Sequence, residues 1–390
     1  MRRWLRELSG GLGDSGLLIP IAIALIAENG LDATAVFAGV GATYVATALY
    51  FRVPVPVQPL KAFAAAAIAL QLDATTIAAG ALLMAAAMAI LSASGLAGWL
   101  AERFPLVLVR GIQASVALLL AKAAVDLAER GNWEGLPAID PTLSVAMALA
   151  GCGALLAMRG GTRIPGALAV LGAGAVVGLV VGGLPGDVAL GPGPVSVSIP
   201  DGATFATALT TLVLAQIPLT FGNSIVATAD AERTYFGSRA RRVTPRPLAA
   251  SIGLANTFAG VASGLPVCHG AGGVTAHYKL GARSLVSTLS VGVLLIILAL
   301  LLGSSLPVLL TLIAPGVLAG MLLFVAIQHG LLAGSLERLD DRVIAAGVGV
   351  ITLTSGNLAI GFGAGVALLL VRRALEWLPG IAVARPRGSA

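Results

Sequence analysis

Fourteen apolar stretches divide this chain, and its charged residues are almost confined to the joints between them. The stretches run at about 10–28, 33–51, 58–71, 74–98, 105–127, 142–158, 165–183, 203–228, 248–264, 269–280, 284–303, 306–330, 342–355 and 357–377. An α-helix needs roughly 20 apolar residues to cross a bilayer, and most of the stretches approach that length. Only 11% of the 390 residues are Asp, Glu, Lys or Arg, where a soluble domain carries about 25%. Mean hydropathy is +0.96. These values exclude a soluble enzyme, a nucleic-acid-binding protein and a disordered chain. The fold class is an all-α polytopic membrane protein.

The basic residues set the topology. With the N-terminus in the cytoplasm and the spans alternating, twenty of the 24 Lys and Arg fall in cytoplasmic segments and only Arg130 lies outside. Lys61, Arg110 and Lys122 fall within stretches. Such asymmetry is the signature of positive-inside orientation, and it supports fourteen spans with both termini cytoplasmic. The net charge of +6 therefore reports cytoplasmic loops rather than an anionic macromolecular partner. Cys152 and Cys268 supply neither a disulfide framework nor a metal spacing, and no cleavable signal peptide is evident.

Two stretches cannot be plain spans. Val53-Pro54-Val55-Pro56-Val57-Gln58-Pro59 places prolines at every second or third residue, which no helix interior tolerates. A helix can begin only at about Pro59. From there to Leu72 it reaches ~21 Å, short of the ~30 Å hydrocarbon core. Gly264-Leu265-Pro266-Val267-Cys268-His269-Gly270-Ala271-Gly272-Gly273 is the second break, again an extended approach and a glycine-rich helix start. The breaks fall in spans 3 and 10, seven apart. An odd offset gives the halves opposite topology, as in inverted repeats whose broken helices meet at the midplane. The expected organisation is a first repeat at 1–183 (spans 1–7), an outer linker at 184–202, a second repeat at 203–378 (spans 8–14) and a tail at 379–390. Fainter echoes pair Gly13-Asp14-Ser15 with Gly222-Asn223-Ser224, and Pro105 with Pro315.

A helix N-terminus carries about half a positive charge and free N–H donors. Two of them facing each other make a site for a small anion. Gln58 and Lys61 flank the first helix start; Cys268, His269 and Gly270 flank the second. Lys61 is expected to face the pocket rather than snorkel. Asp14 is an intramembrane acid: a proton-coupling group, a partner for Lys61, or an N-cap beside Ser15. Gln216, Asn223 and Ser224 either coordinate oxyanion oxygens or join helices. Asp230 is expected to pair with Arg233, His277 to lie at the surface, His329 at an interface, and Arg110 to be structural. Gly11-Leu12-Gly13-Asp14-Ser15-Gly16 matches a dinucleotide fingerprint, but no βαβ unit can exist here. No catalytic constellation, zinc motif or P-loop is present. The chain is therefore read as not an enzyme, with no cofactor and no metal.

Val53-Pro54-Val55-Pro56-Val57-Gln58-Pro59-Leu60-Lys61 resembles the P-x-P-V-Q-P-x-K signature of the molybdate transporter family, a relative of the sulfate permeases. Pro266–Gly273, His277-Tyr278 and Gly281-Ala282-Arg283 resemble its second signature. Gly13–Gly16 with Ile19-Pro20 resembles its first span, and Gln216–Thr220 with Asn223-Ser224 its eighth. The resemblance implies the seven-plus-seven fold shared with sulfate and uracil permeases, in which spans 1–4 and 8–11 move against spans 5–7 and 12–14. It implies uptake of a tetrahedral oxyanion across the cell (inner) membrane, molybdate first and sulfate second. With no site for direct ATP use, transport energy is expected from an ion gradient, with Asp14 or His269 as the coupling group. A nucleobase permease would place carboxylates where Asn223 and His269 stand. The twelve residues after Leu378 leave no room for the regulatory domain of sulfate permeases. A homodimer is left open.

Overall fold

In a bilayer every backbone N–H and C=O must be satisfied within the protein, so uncharged Ala-, Val- and Leu-rich stretches become helices. The computed structural model describes residues 2–96, 99, 105–130, 139–158, 166–182, 188–197 and 199–377. Arg103, Arg159, Arg163 and the tail 379–390 lie outside the described residues, as does part of the linker 184–202. The first half contains α1 (Arg2–Gly11), α2 (Ser15–Asn29), α3 (Ala33–Phe51), β1 (Gln58–Pro59), α4 (Lys61–Ala69), α5 (Ala74–Ser94), α6 (Leu106–Glu129), α7 (Pro141–Ala157) and α8 (Gly166–Gly182). The second contains α9 (Gly202–Ala208), α10 (Leu214–Leu219), α11 (Ala227–Phe236), α12 (Pro245–Val261), β2 (Val267–Cys268), α13 (Ala271–Lys279), α14 (Leu285–Leu302), α15 (Leu306–Leu310), α16 (Pro315–Ala333), α17 (Leu339–Ser355) and α18 (Leu358–Trp377). Among the described residues, seven helices are long and apolar enough to cross a membrane.

Helix ends follow local chemistry. Asp73, Asp140, Asp201 and Ser284 cap helix N-termini by accepting backbone N–H groups with their side chains. Gly30, Gly95 and Gly356 close helix C-termini in the left-handed conformation.

Four boundaries differ from the sequence expectation. The first helix reaches back to Arg2, then tightens into a 3-10 turn at Leu12–Asp14 before α2. The short helices start at Lys61 and Ala271, because the residues before them pair as strands. Stretch 8 is interrupted by π-helical turns at Leu209–Val213 and Thr220–Val226. Stretch 12 is two helices, α15 and α16, since Pro315 can begin a helix but not continue one.

The strand pair is antiparallel, with Gln58 opposite Cys268 and Pro59 opposite Val267. Stretches 3 and 10 therefore run in opposite directions. Helix packing carries the same relation. α5 packs on α12 and α14 on α3, joining stretches 4 with 9 and 11 with 2. α6 packs on α17 and α16 on α7, joining 5 with 13 and 12 with 6. Exchanging the halves converts each pair into the other. α6 also packs on α16, joining stretches 5 and 12, which exchange with one another.

Candidate transport site

Neither broken helix could stand alone, because its first N–H groups would be stranded in the protein interior. The two extended approaches solve part of this by pairing, and the Leu60 N–H donates to the Pro266 carbonyl at 3.0 Å. Gln216 on α10 solves another part. Its Oε1 accepts the Phe63 N–H at 3.0 Å, and its Nε2 donates to Thr220 Oγ1 at 2.9 Å. Gln216 thus caps α4 from the side. The N–H groups of Lys61, Ala62, Ala271, Gly272 and Gly273 occupy the unpaired first-turn positions of their helices.

In front of these two helix starts, three polar side chains form one chain. The Lys61 ammonium donates to Gln58 Oε1 at 2.5 Å, and Gln58 Nε2 donates to Asp14 Oδ2 at 2.5 Å. All three side chains are buried. The amide orientation is forced, because a lysine can only donate and a carboxylate only accept. One positive and one negative charge are therefore bridged by a neutral amide. The second half of the fold approaches closely through glycines. A Cβ on Gly270 would lie 2.0 Å from Gln58 Oε1, and one on Gly273 would lie 2.6 Å from Gln58 Nε2 and 2.8 Å from Asp14 Oδ2. At Gly272 a Cβ would meet nothing within 4 Å.

That open space is a cavity of about 360 Å³. Asp14, Gln58, Lys61, Asn223 and Gly272 line one side, and Gln113 on α6 with Gln328 and His329 on α16 line the other. It extends past Ala276 and Leu332, toward the end of the bundle that carries most of the arginines. A separate cavity of about 250 Å³ is lined by Ala24, Glu28, Arg130 and Leu322. There Arg130 pairs with Glu28 at 2.5 Å, and Asn29 Nδ2 donates to the carbonyls of Ala67 and Leu72.

Of the residues expected from sequence, Asp14, Gln58, Lys61 and Asn223 meet on this cavity. Ser15, Gln216, Ser224, Cys268, His269 and Gly270 are outside its lining. Ser15 Oγ is buried without a hydrogen-bond partner. His269 is held on both sides, Nδ1 by the Pro56 carbonyl at 2.8 Å and Nε2 by Ser251 Oγ at 2.7 Å. Its ring anchors the proline-rich approach to α12. Cys268 packs its thiol against the Pro59 carbonyl. Three expectations are corrected: the interface placement of His329, the surface placement of His277 and the pairing of Asp230. His329 is buried in the cavity wall, its Nδ1 bonded to the Val325 carbonyl at 3.0 Å. His277 is buried with neither ring nitrogen partnered. Asp230 is exposed and forms no ion pair with Arg233, while its neighbour Glu232 is buried with no hydrogen-bond partner. Arg110 donates to Gln113 Oε1 at 2.8 Å, so it orients a cavity residue. Gln113 and Gln328 were readable only as polar residues inside apolar helices, a weak signal that nonetheless marks intramembrane function.

A family model described as "Molybdate transporter of MFS superfamily" matches residues 6–120 and 208–328. The chain belongs to the molybdate transporter family. The first matched block includes Asp14 and the break before α4, and the second includes the break before α13. Molybdate transporter 2 of Arabidopsis thaliana is 29% identical over 94% of this chain and 86% of its own length. Molybdate transporter 1 of the same plant is 28% identical over 99% and 91%, and Molybdate transporter 1 of Chlamydomonas reinhardtii 28% over 97% and 93%. Membership makes the chain a membrane transporter and not an enzyme. The fold is shared with the transmembrane domain of a cyanobacterial bicarbonate transporter, BicA, at a TM-score of 0.67, 15% identity and coverage of 94% of this chain and 98% of that one. It is also shared with the murine solute carrier 26 family member A9 anion transporter in its inward-facing state, at 0.64, 16%, and coverage of 95% and 68%. The two halves of a major-facilitator transporter are parallel repeats. The antiparallel pairing of β1 with β2 is the opposite arrangement.

Proposed function

We propose that the chain imports molybdate by alternating access, binding it in the cavity in front of α4 and α13. The observation that carries this reading is the buried Lys61–Gln58–Asp14 chain at two facing helix starts. Lys61 supplies a full positive charge, and the first-turn N–H groups supply directed donors for oxyanion oxygens. Gln58 turns those donors and the lysine into one rigid unit. Asn223, Gln113 and Gln328 add neutral groups on the remaining walls. The cavity is on the cytoplasmic side of the helix breaks, and the Glu28–Arg130 pair is at the outer end. This is the inward-facing arrangement, with both termini in the cytoplasm.

Asp14 is the coupling group in this mechanism. A molybdate dianion brings two negative charges close to its carboxylate. Like-charge repulsion favours a proton on Asp14 while the anion is bound. Proton and anion then cross together, and the proton leaves with the anion on the cytoplasmic side. Uptake of molybdate into proteoliposomes, with and without an inward proton gradient, tests the reading. Wild-type protein accumulates molybdate faster with the gradient, and excess tungstate or sulfate shows the order of preference by competition. Asp14→Asn retains binding but loses the gradient's effect. Uptake that ignores the gradient in the wild type removes the proton from the mechanism, and absence of molybdate uptake under either condition removes the substrate.

A further inference from the structure

On the face of the molecule away from the transport cavity, α3 and α12 leave an outward-facing apolar groove of about 490 Å³. Ala42, Ala46, Tyr50, Leu254 and Phe258 are among its walls. Leu254 and Tyr50 are exposed, at 74% and 51%, on a surface that a bilayer covers. At its arginine-rich end the groove adjoins a second cavity, also about 490 Å³, lined by Phe51, Arg52, Ser238, Arg239, Arg241 and Arg242. Phe51 belongs to both walls. Arg242 closes the seam, donating to the Tyr50 carbonyl at 2.9 Å with its guanidinium 5.9 Å from the Tyr50 ring. The four arginines line this cavity with no acidic residue among its walls, and Arg239 also donates to the Arg283 carbonyl. Among the described residues none of them forms an ion pair. Glu232 acts on Arg239 through space only. Arg52 is further fixed by its backbone, which turns left-handed at φ 61° to end α3.

Four guanidinium groups with no acid in contact, joined to a groove that takes hydrocarbon, describe a complement to one kind of molecule. We infer that this composite site binds an anionic phospholipid of the cytoplasmic leaflet. Its phosphate is held by Arg52, Arg239, Arg241 and Arg242, and an acyl chain lies between α3 and α12. Guanidinium forks match phosphate oxygens in two-point hydrogen bonds, and basic pockets between spans on the cytoplasmic side suit anionic head groups. A free phosphate would have no use for the groove, and a zwitterionic lipid would leave the excess positive charge unmet. The site also touches the transport machinery. Ser251 in the groove wall holds His269, which holds the Pro56 carbonyl beside Gln58.

Native mass spectrometry of the purified full chain, titrated with dioleoylphosphatidylglycerol or dioleoylphosphatidylcholine, tests this. The expected result is preferential retention of phosphatidylglycerol, lost roughly 10- to 30-fold in Arg52→Gln/Arg241→Gln. These two side chains make no hydrogen bond within the described protein, so the variant keeps its fold. Ala46→Trp, which fills the groove from its exposed face, weakens phosphatidylglycerol binding with the arginines intact. Equal retention of both lipids, or unchanged binding in the arginine variant, overturns the proposal. Displacement of the lipid by millimolar inorganic phosphate, with no effect of Ala46→Trp, also overturns it, because it assigns the arginines to a soluble anion.

Discussion

Gly272 and Gly273 are neighbours in the chain with opposite surroundings, and the difference defines the site at residue scale. Gly273 lets α13 approach Gln58 and Asp14 to a distance no side chain permits, while Gly272 faces the cavity. Gly273→Ala is expected to destabilise the folded protein by about 1–3 kcal/mol through overpacking and to weaken molybdate binding. Gly272→Ala is expected to leave thermal stability within about 0.5 kcal/mol of wild type. Thermal melts of both variants in detergent, with binding isotherms beside them, check the contrast. Gln58 and Lys61 were legible because they stood beside a proline break, and Asp14 because an acid is costly inside an apolar stretch. The burial of His269 on Ser251 was not legible. A histidine next to a helix start can turn either way, and the choice depends on a serine 18 residues distant in sequence.

At the scale of elements, two half-helices are stable only because other elements finish them. Gln216 does this for α4, from a stretch more than 150 residues away. Gln216→Leu leaves the Phe63 N–H buried and unpaired, which is expected to cost about 1–3 kcal/mol, read as a lower unfolding midpoint. An unchanged midpoint would show that water or a rearranged backbone takes the place of the glutamine. Ordinary spans are finished more simply. Asp140 caps α7, and the Thr142 hydroxyl together with the Thr142 and Leu143 N–H groups holds its carboxyl below the usual carboxylate range. A depressed folded-state value means the charge stabilises the fold above the unfolded range near pH 4. That contribution disappears as pH falls through the lower folded value. The melting difference between wild type and Asp140→Asn is therefore expected to be full at neutral pH and to shrink on acidification below about pH 4. The proline-bearing breaks could be read from sequence, since proline cannot be accommodated otherwise. The 3-10 turn at Leu12–Asp14 and the π turn at Thr220–Val226 could not. Yet they carry Asp14 and the Asn223-Ser224 pair, so the sequence echo between Gly13-Asp14-Ser15 and Gly222-Asn223-Ser224 marks matching irregular turns.

The helices of the two halves interleave, and the two helix breaks seven stretches apart made that layout legible before any contact was known. What the breaks could not supply is which end of the proposed path is closed. In the proposed inward-facing reading that closure falls to the ion pair of Glu28 on α2 with Arg130 after α6. An ion pair of this exposure contributes up to about 1 kcal/mol. Removing it with Arg130→Ala is expected to raise the outward-open population up to about 5-fold. A cysteine placed at Ala24, which is buried beside this pair, reports the change as faster modification by a water-soluble maleimide. The native Cys152 and Cys268 are both buried. An unchanged rate would place the outer closure elsewhere. The most direct test of the whole account is equilibrium binding of molybdate to purified wild-type protein and to Lys61→Ala. Loss of a buried charged donor is worth about 1.5–3 kcal/mol, so the dissociation constant is expected to rise roughly 10- to 100-fold, with the variant still folded by its melting curve. Molybdate binding that is equally tight in folded Lys61→Ala would contradict the assignment of the anion site to the paired helix breaks.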